Sequence, residues 1–128
     1  MRCSGAMALT SWQENDVSAY DDGSKLTRAS IGYRMTGDIE GESTSEVVMF
    51  YRPDGTASVL GLWRVTGSVQ GRRGSVVFEA TGGYDGTAAV SEVRTVPGSG
   101  TGDLAGATGA GTTTATRETI DYVLEWDG

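Results

Sequence analysis

The chain has 128 residues, which is enough for one domain around one core, so residues 1–128 are interpreted as a single domain. Its net charge of -7 repels phosphate backbones, and no run of Lys or Arg suits an anionic surface, so neither nucleic acid nor membrane is an expected partner. The chain contains no histidine, which excludes Ser-His-Asp and Cys-His nucleophile systems and nearly all imidazole-based metal sites. We therefore expect neither a metal nor another cofactor.

The cellular compartment is suggested by cysteine usage and by the start of the chain. Cys3 is the only cysteine, so no intramolecular disulfide can form, which fits a reducing compartment. The first ten residues lack the long apolar run of a signal peptide, and no stretch approaches the length that spans a bilayer. The expected location is the cytoplasm.

Strand patterns dominate the chain, and no segment shows a sustained helical period. The predicted strands cover residues 3–12, 26–36, 46–51, 56–69, 75–81, 87–96, 106–115 and 120–126. The polar residues 13–24 predict a loop with a short helical turn, and residues 38–41 predict a break. Arg52-Pro53-Asp54-Gly55 predicts a hairpin turn, because proline presets φ and glycine accepts a positive φ.

Alternation along these strands predicts one apolar face on each. The residues expected to share that face are Ala29, Ile31, Tyr33, Met35, Val47, Met49, Tyr51, Val59, Trp63, Val65, Val69, Val76, Phe78, Ala80, Ile120, Tyr122, Leu124 and Trp126. Leu60 and Leu62 give strand 56–69 a second apolar face, which suits a homodimer contact.

About eight strands at hairpin spacing, in a chain with 20 glycines, indicate an all-β antiparallel barrel or sandwich. Glycines in strands often mark barrel corners and bulges. A barrel of about eight strands has an interior that side chains fill or that holds one small ligand.

Three segments together resemble a family of small bacterial proteins of unknown function, common in actinobacteria. They are Lys-Leu-Thr-Arg-Ala-Ser at 25–30, Tyr-Arg-Pro-Asp-Gly-Thr-Ala-Ser at 51–58, and the turn from Thr95 to Gly106 with its Pro-Gly-Ser-Gly-Thr-Gly core. Members of that family share the β-barrel fold of plant allene oxide cyclase. The resemblance extends from Ser11 to Tyr122 and implies a single antiparallel eight-stranded barrel that binds something small, often as a dimer.

Three departures from the family pattern fall at Trp63, Ala80 and Val93, where relatives often carry Glu, His and Trp. One larger and two smaller side chains compensate in volume, which suggests that the three positions meet inside the barrel. Two explanations remain open. One is neutral repacking that conserves core volume. The other is a reshaped, more apolar ligand pocket.

Candidate catalytic residues are Glu79, Tyr33 and Tyr51. If Glu79 faced the interior, burial would raise its pKa and suit it to acid or base chemistry; alternatively it alternates outward and is solvated or paired with an arginine. Tyr33 and Tyr51 could donate a hydrogen bond to a ligand carbonyl, or serve as core aromatics with their hydroxyls at the rim. The predicted substrate-binding residues are Trp63, Phe78, Ala80, Val93, Met49 and Val65.

Three functions follow as hypotheses. The first is a cofactor-independent cyclase or isomerase that holds a polyketide- or polyene-like hydrophobic molecule in a reactive conformation. The second is a barrel that binds a small hydrophobic molecule without catalysis. The third is a structural or interaction protein with a filled barrel.

Overall fold

The structure is a computed structural model that describes residues 1–128, and it contains eight β strands closed into one antiparallel barrel. Each strand pairs with the next, and β1 pairs with β8. The strands are β1 (Arg2–Ala19), β2 (Lys25–Gly37), β3 (Ile39–Tyr51), β4 (Ala57–Val69), β5 (Arg72–Tyr84), β6 (Ala89–Thr95), β7 (Thr108–Ala115) and β8 (Ile120–Asp127). A 3-10 turn spans Gly102–Leu104. The prediction of an eight-stranded antiparallel barrel is confirmed.

Two segments differ from the sequence-based prediction. Residues 13–19 continue β1 rather than forming a loop, because they pair in register with β2 from Ser30 to Lys25. The predicted break at 38–41 is confined to Asp38, and β3 begins at Ile39. Ile39 is fully buried, and its N–H donates to the Tyr122 hydroxyl at 2.9 Å, which secures the start of β3 against β8.

The long first strand follows from the stagger of the barrel. Pairing partners traced from Asp16 through all eight strands return to β1 at Gly5, eleven positions earlier. Closing a sheet into a barrel requires such a shear. Since β8 pairs only with residues 2–6 of β1, the edge of β1 from Met7 to Ala19 has no partner on its β8 side. This edge forms part of one rim of the barrel.

One half of the interior, which we call the packed half, is filled. Its buried side chains are Cys3, Met35, Ile39, Val65, Val69, Val76, Phe78, Leu104, Tyr122, Leu124 and Trp126. The Phe78 ring lies 4.8 Å from that of Trp63 and 6.3 Å from that of Trp126, between ring centroids. The Tyr122 hydroxyl donates to the Thr36 carbonyl at 2.8 Å. These contacts close this end of the barrel.

The turns at the two ends differ in kind. At the packed end, β4 and β5 are joined at Gln70 and Gly71, both with positive φ, as a two-residue hairpin of type I′ requires. Residues 96–107 form the longest connection, and it inserts Leu104 beneath the barrel as a buried plug. At the opposite end, which we call the open end, hairpins 20–24, 52–56, 85–88 and 116–119 surround the mouth of the barrel. No helix in the structure is long and apolar enough to cross a membrane.

Candidate functional site

A cavity of about 410 Å³ occupies the half of the barrel toward the open end. It is lined by 21 residues, of which 18 are hydrophobic, and every strand contributes to it. Small inner residues leave this space: Ala80 pairs across the sheet with Gly61 on one side and with Val93 on the other. Cavities of this size and composition are typical of small-molecule sites.

The structure brings most of the predicted site residues to this cavity. The predicted residues that line it are Tyr33, Tyr51, Trp63, Ala80, Val93 and Met49. Trp63, Ala80 and Val93, the three departures from the family pattern, therefore do meet inside the barrel. Their placement leaves a cavity rather than a filled interior.

Three predicted site residues lie elsewhere. Phe78 and Val65 are fully buried in the packed half, so the prediction that they line the pocket is wrong. Glu79 points to the outer face, because Phe78 and Ala80 on either side of it point inward. Its carboxylate forms an ion pair with Arg94. The prediction that Glu79 serves the cavity is therefore corrected to the outward, arginine-paired alternative.

Trp63 separates the cavity from the packed half. Its side chain lines the cavity, packs on Phe78 and is only 4% exposed. The Trp63 Nε1–H has no hydrogen-bond partner, and neither has the hydroxyl of buried Ser43. Ser43 lies on the inner face of β3 together with Ser45, which is the cross-strand partner of Trp63. A buried unpaired donor is costly, so this indole N–H lowers the stability of the fold relative to a tryptophan whose N–H is paired.

Glu14 forms a polar cluster at the open end that the sequence analysis did not identify. Its carboxylate accepts hydrogen bonds from Thr27 Oγ1 at 2.6 Å, the Tyr51 hydroxyl at 2.8 Å and Trp12 Nε1 at 3.1 Å. Thr27 is fully buried, and both Trp12 and Tyr51 line the cavity. The cluster therefore places a carboxylate directly behind one cavity side chain, Tyr51.

The pKa values in this cluster fix its protonation. Burial raises the pKa of Glu14, but the hydrogen bonds from Thr27, Tyr51 and Trp12, together with nearby Lys25, outweigh burial and leave it below its ordinary value. Burial, the hydrogen bond to Glu14 and the Glu14 charge raise the pKa of Tyr51 to about 12. At neutral pH the pair is thus an ionised carboxylate and a neutral phenol.

Tyr33 and Tyr51, two of the three tyrosines that line the cavity, differ in their environment. The Tyr51 hydroxyl donates to Glu14, and its oxygen also lies 3.4 Å from the sulfur of Met49. Burial alone raises the pKa of Tyr33, and no hydrogen bond engages its hydroxyl. Both phenols stay protonated at neutral pH, so neither serves as a base.

A cation, Lys25, lies on the rim beside the cluster. The Lys25 ammonium lies 5.3 Å from the centre of the Tyr51 ring and 3.6 Å from the Asp16 carboxylate. Asp16 thus engages the Lys25 charge at the mouth of the barrel. The structure holds no group of three or more His, Cys, Asp or Glu side chains arranged to bind a metal ion.

Comparisons with known proteins identify relatives by sequence and by structure. Residues 3–126 match the family model described as "Protein of unknown function (DUF3224)". A crystal structure of a protein with unknown function from the same family, from Shewanella oneidensis MR-1, is similar with a TM-score of 0.79 at 22% identity. The similarity covers 99% of this chain and 96% of that one. No curated protein matches significantly. These matches confirm the resemblance to a bacterial family of unknown function.

Proposed function

We propose that this chain, which belongs to the DUF3224 family, binds one small and largely apolar molecule inside its barrel. The observation that carries the proposal is the cavity of about 410 Å³, closed at the packed end and lined mostly by hydrophobic side chains. Small barrels use such interiors to hold single ligands. The absence of an inward Glu79 favours binding over acid-base catalysis.

Polar groups on the cavity wall are few, which is the usual arrangement in a ligand pocket. Besides three tyrosines and two tryptophans, the lining contains Ser45, Ser91 and Thr113. None of the lining side chains is charged. An uncharged ligand is therefore favoured in the interior, because burying an unpaired charge among these groups would be costly.

A second candidate function is a cofactor-independent cyclase or isomerase for a hydrophobic molecule of the polyketide or polyene type. The Tyr51–Glu14 pair favours it, because a phenol fixed by a carboxylate can orient a ligand oxygen while the walls restrict the ligand's conformations. In this scheme Tyr33 donates a hydrogen bond to the ligand, Tyr51, whose proton is held by Glu14, accepts one, and Glu79 takes no part. We also propose that the barrel is of the allene-oxide-cyclase type.

We further propose that the protein is cytoplasmic and forms a homodimer. The dimer surface would be the outer face of β3 and β4, where Leu60 and Leu62 are 57% and 54% exposed. Val48 lies directly opposite Leu60, and Phe50 lies beside it, so the exposed apolar groups are contiguous. A Leu60→Glu variant tests this surface by sedimentation. A wild type that sediments as a monomer would contradict the dimer.

The binding proposal is tested by filling the cavity. Ala80→Trp places an indole in the cavity, whereas Thr81→Trp places it on the outer face of the same strand. Protein purified from its own host is analysed by native mass spectrometry, and bound small molecules are extracted and identified. We expect a bound apolar molecule in the wild type and in Thr81→Trp, and none in Ala80→Trp. Equal occupancy in both variants would refute the cavity as the site. The milder Ala80→Leu serves if the tryptophan variant does not fold.

Turnover of the extracted molecule separates the two functions. The enzyme requires that Tyr51→Phe slow conversion while binding persists, and a carrier requires that no product form at all. Trp63→Ala, which changes only the walls, would then weaken binding in both cases.

A further inference from the structure

We infer that the cavity binds a cyclic, uncharged molecule with two carbonyl oxygens on opposite sides of its ring, as in a 1,4-quinone, each held by a pair of hydroxyl groups. The hydroxyls belong to Tyr33 and Ser45 on one wall and to Ser91 and Thr113 on the wall opposite. We call these four groups the hydroxyl belt. This inference rests on the proposed binding function and specifies its ligand class.

The four hydroxyls of the belt are free to bind a guest. All four side chains line the cavity, and none of their oxygens forms a hydrogen bond with another protein atom. Among side chains that are not exposed, only Ser43 and Trp63 have an unpaired polar atom shut off from accessible surface, so the belt oxygens face open space. The proton of Tyr51, by contrast, is held by Glu14. The belt thus offers four hydrogen-bond donors to the interior.

The belt divides into two pairs on opposite walls of the barrel. Tyr33 lies on β2 and Ser45 on β3, whereas Ser91 lies on β6 and Thr113 on β7. In the closed order of eight strands, β2 faces β6 and β3 faces β7. Ser91 and Thr113 are direct cross-strand partners, and Ser45 pairs with Ile31, two positions from Tyr33. The two hydroxyls of each wall are therefore close enough to bind one guest atom together.

The stagger of the barrel brings the two pairs to one height along its axis. The shift of eleven positions around eight strands is about 1.4 residues per strand. Pairing from Ser45 across β4 and β5 leads to Thr95 on β6. Over those three strands the shift is about four residues, so the β6 residue at the height of Ser45 lies four positions toward the open end, at Ser91. The same correction leaves Tyr33 and Thr113 within about 4 Å of that height.

The width of the barrel sets the spacing between the two guest oxygens. Eight strands about 4.8 Å apart, tilted by about 40°, enclose a circle roughly 16 Å across between backbones. A serine or threonine oxygen reaches about 2.4 Å inward from its Cα, and each hydrogen bond spans about 2.8 Å. Between Ser45 and Thr113 this leaves about 5–6 Å for the two guest oxygens. Carbonyl oxygens at positions 1 and 4 of a six-membered ring are about 5.3 Å apart.

Carbonyl oxygens suit the belt better than other polar groups. Each carbonyl oxygen has two lone pairs and can accept one hydrogen bond from each hydroxyl of its wall, so two carbonyls match the four donors. A guest hydroxyl would bring a further proton to a belt that already has a donor in each group. A guest carboxylate would be an unpaired charge, because no side chain that lines the cavity is charged.

The test compares three ring systems of one shape, namely 9,10-anthraquinone, anthrone, which has one carbonyl, and anthracene, which has none. Tyr33→Phe/Ser45→Ala removes the hydroxyls of one wall, and Ser91→Ala/Thr113→Val removes those of the other. Thr112→Val, on the outer face of β7, is the matched control. Binding is measured by equilibrium dialysis, and folding is checked by thermal unfolding. The single Tyr33→Phe and Thr113→Val variants serve if a double variant does not fold.

Removing the hydroxyls of either wall should weaken the binding of anthraquinone about tenfold, since two hydrogen bonds are lost. Anthrone should keep its affinity in each double variant, because its single carbonyl turns to the remaining wall, and should lose it only when both walls are changed. Anthracene binding should not change in any variant, and Thr112→Val should bind all three compounds as the wild type does.

An unchanged affinity for anthraquinone in both double variants, in a protein that binds anthracene, would overturn the inference and leave apolar binding in place. If none of the three compounds binds to the wild type, the binding proposal itself fails, and the inference with it.

Discussion

Replacing Trp63 with phenylalanine should leave the free energy of unfolding within about 1 kcal/mol of the wild type, although a buried tryptophan is truncated. The aromatic contact with Phe78 is retained, and the lost ring atoms merely enlarge an existing cavity. Loss of that apolar surface costs about 2 kcal/mol. Removing a buried N–H that has no partner returns about 1–3 kcal/mol, so the two effects nearly cancel.

The alanine variant provides the contrast. Trp63→Ala removes the contact with Phe78 as well, and it should cost about 3–5 kcal/mol. Both values are obtained from urea unfolding of ligand-free protein followed by circular dichroism, with an unchanged denaturant slope as the check on two-state behaviour. If Trp63→Phe were as destabilising as Trp63→Ala, the indole N–H would have a partner. The conclusion that this N–H is unpaired would then be refuted.

Three further predictions concern the Glu14 cluster and the β1–β8 seam. Glu14→Gln should lower the pKa of Tyr51 from about 12, but not to its ordinary value, because burial is the larger cause of the shift. Alkaline absorbance titration measures this pKa, and the Tyr51→Phe variant assigns the signal. An unchanged pKa would contradict the pairing of Tyr51 with Glu14. Folding lowers the pKa of Glu14, so the stabilisation that its carboxylate provides is complete above the ordinary pKa of 4.5 and is lost as the pH falls below that value. As the pH is lowered below 4.5, the urea unfolding midpoint should therefore decline less in Glu14→Gln than in the wild type. Gly5→Ala should cost about 3 kcal/mol or more, since a Cβ there would lie 2.5 Å from the Tyr122 hydroxyl and 2.0 Å from a backbone oxygen. Thermal unfolding measures this cost. Gly71→Asn, at a turn with open space but a positive φ, should cost only about 1 kcal/mol, because asparagine tolerates that backbone conformation better than other residues with a side chain.

The barrel could be predicted from the sequence because its strands alternate cleanly. In β4, Trp63, Val65 and Val69 point inward and are buried, while Leu60 and Leu62 point outward and are exposed, as the period of two indicates. The same alternation favours an outward Glu79, since its neighbours Phe78 and Ala80 face inward, but an inward Glu79 remained a candidate until the structure showed its ion pair with Arg94. Local alternation suffices wherever a strand has no irregularity.

Glu14 could not be found in this way, because a bulge changes the phase of β1. Up to Leu9, the odd-numbered residues of β1 pair with the β2 residues that point inward. The register shift between Leu9 and Ser11 reverses this phase, so that the even-numbered Trp12 and Glu14 pair with the inward residues of β2. A polar sequence with a broken period is typical of a loop, which explains the wrong prediction for residues 13–19. The position of this carboxylate becomes visible only when the pairing with β2 is known.

The cavity itself depends on a property that no single strand displays. Ala80 is small, but a small residue leaves space only if the residues beside and across from it are also small or distant. Register places Gly61 on one side of Ala80 and Val93 on the other, and the stagger of the barrel places these three residues above the layer that Trp63 and Phe78 fill. A shift of one residue in the pairing of β4 with β5 would turn Ala80 outward and Glu79 inward. The hollow half of the barrel is therefore a consequence of register, and the residues that fix register decide whether the cavity exists at all.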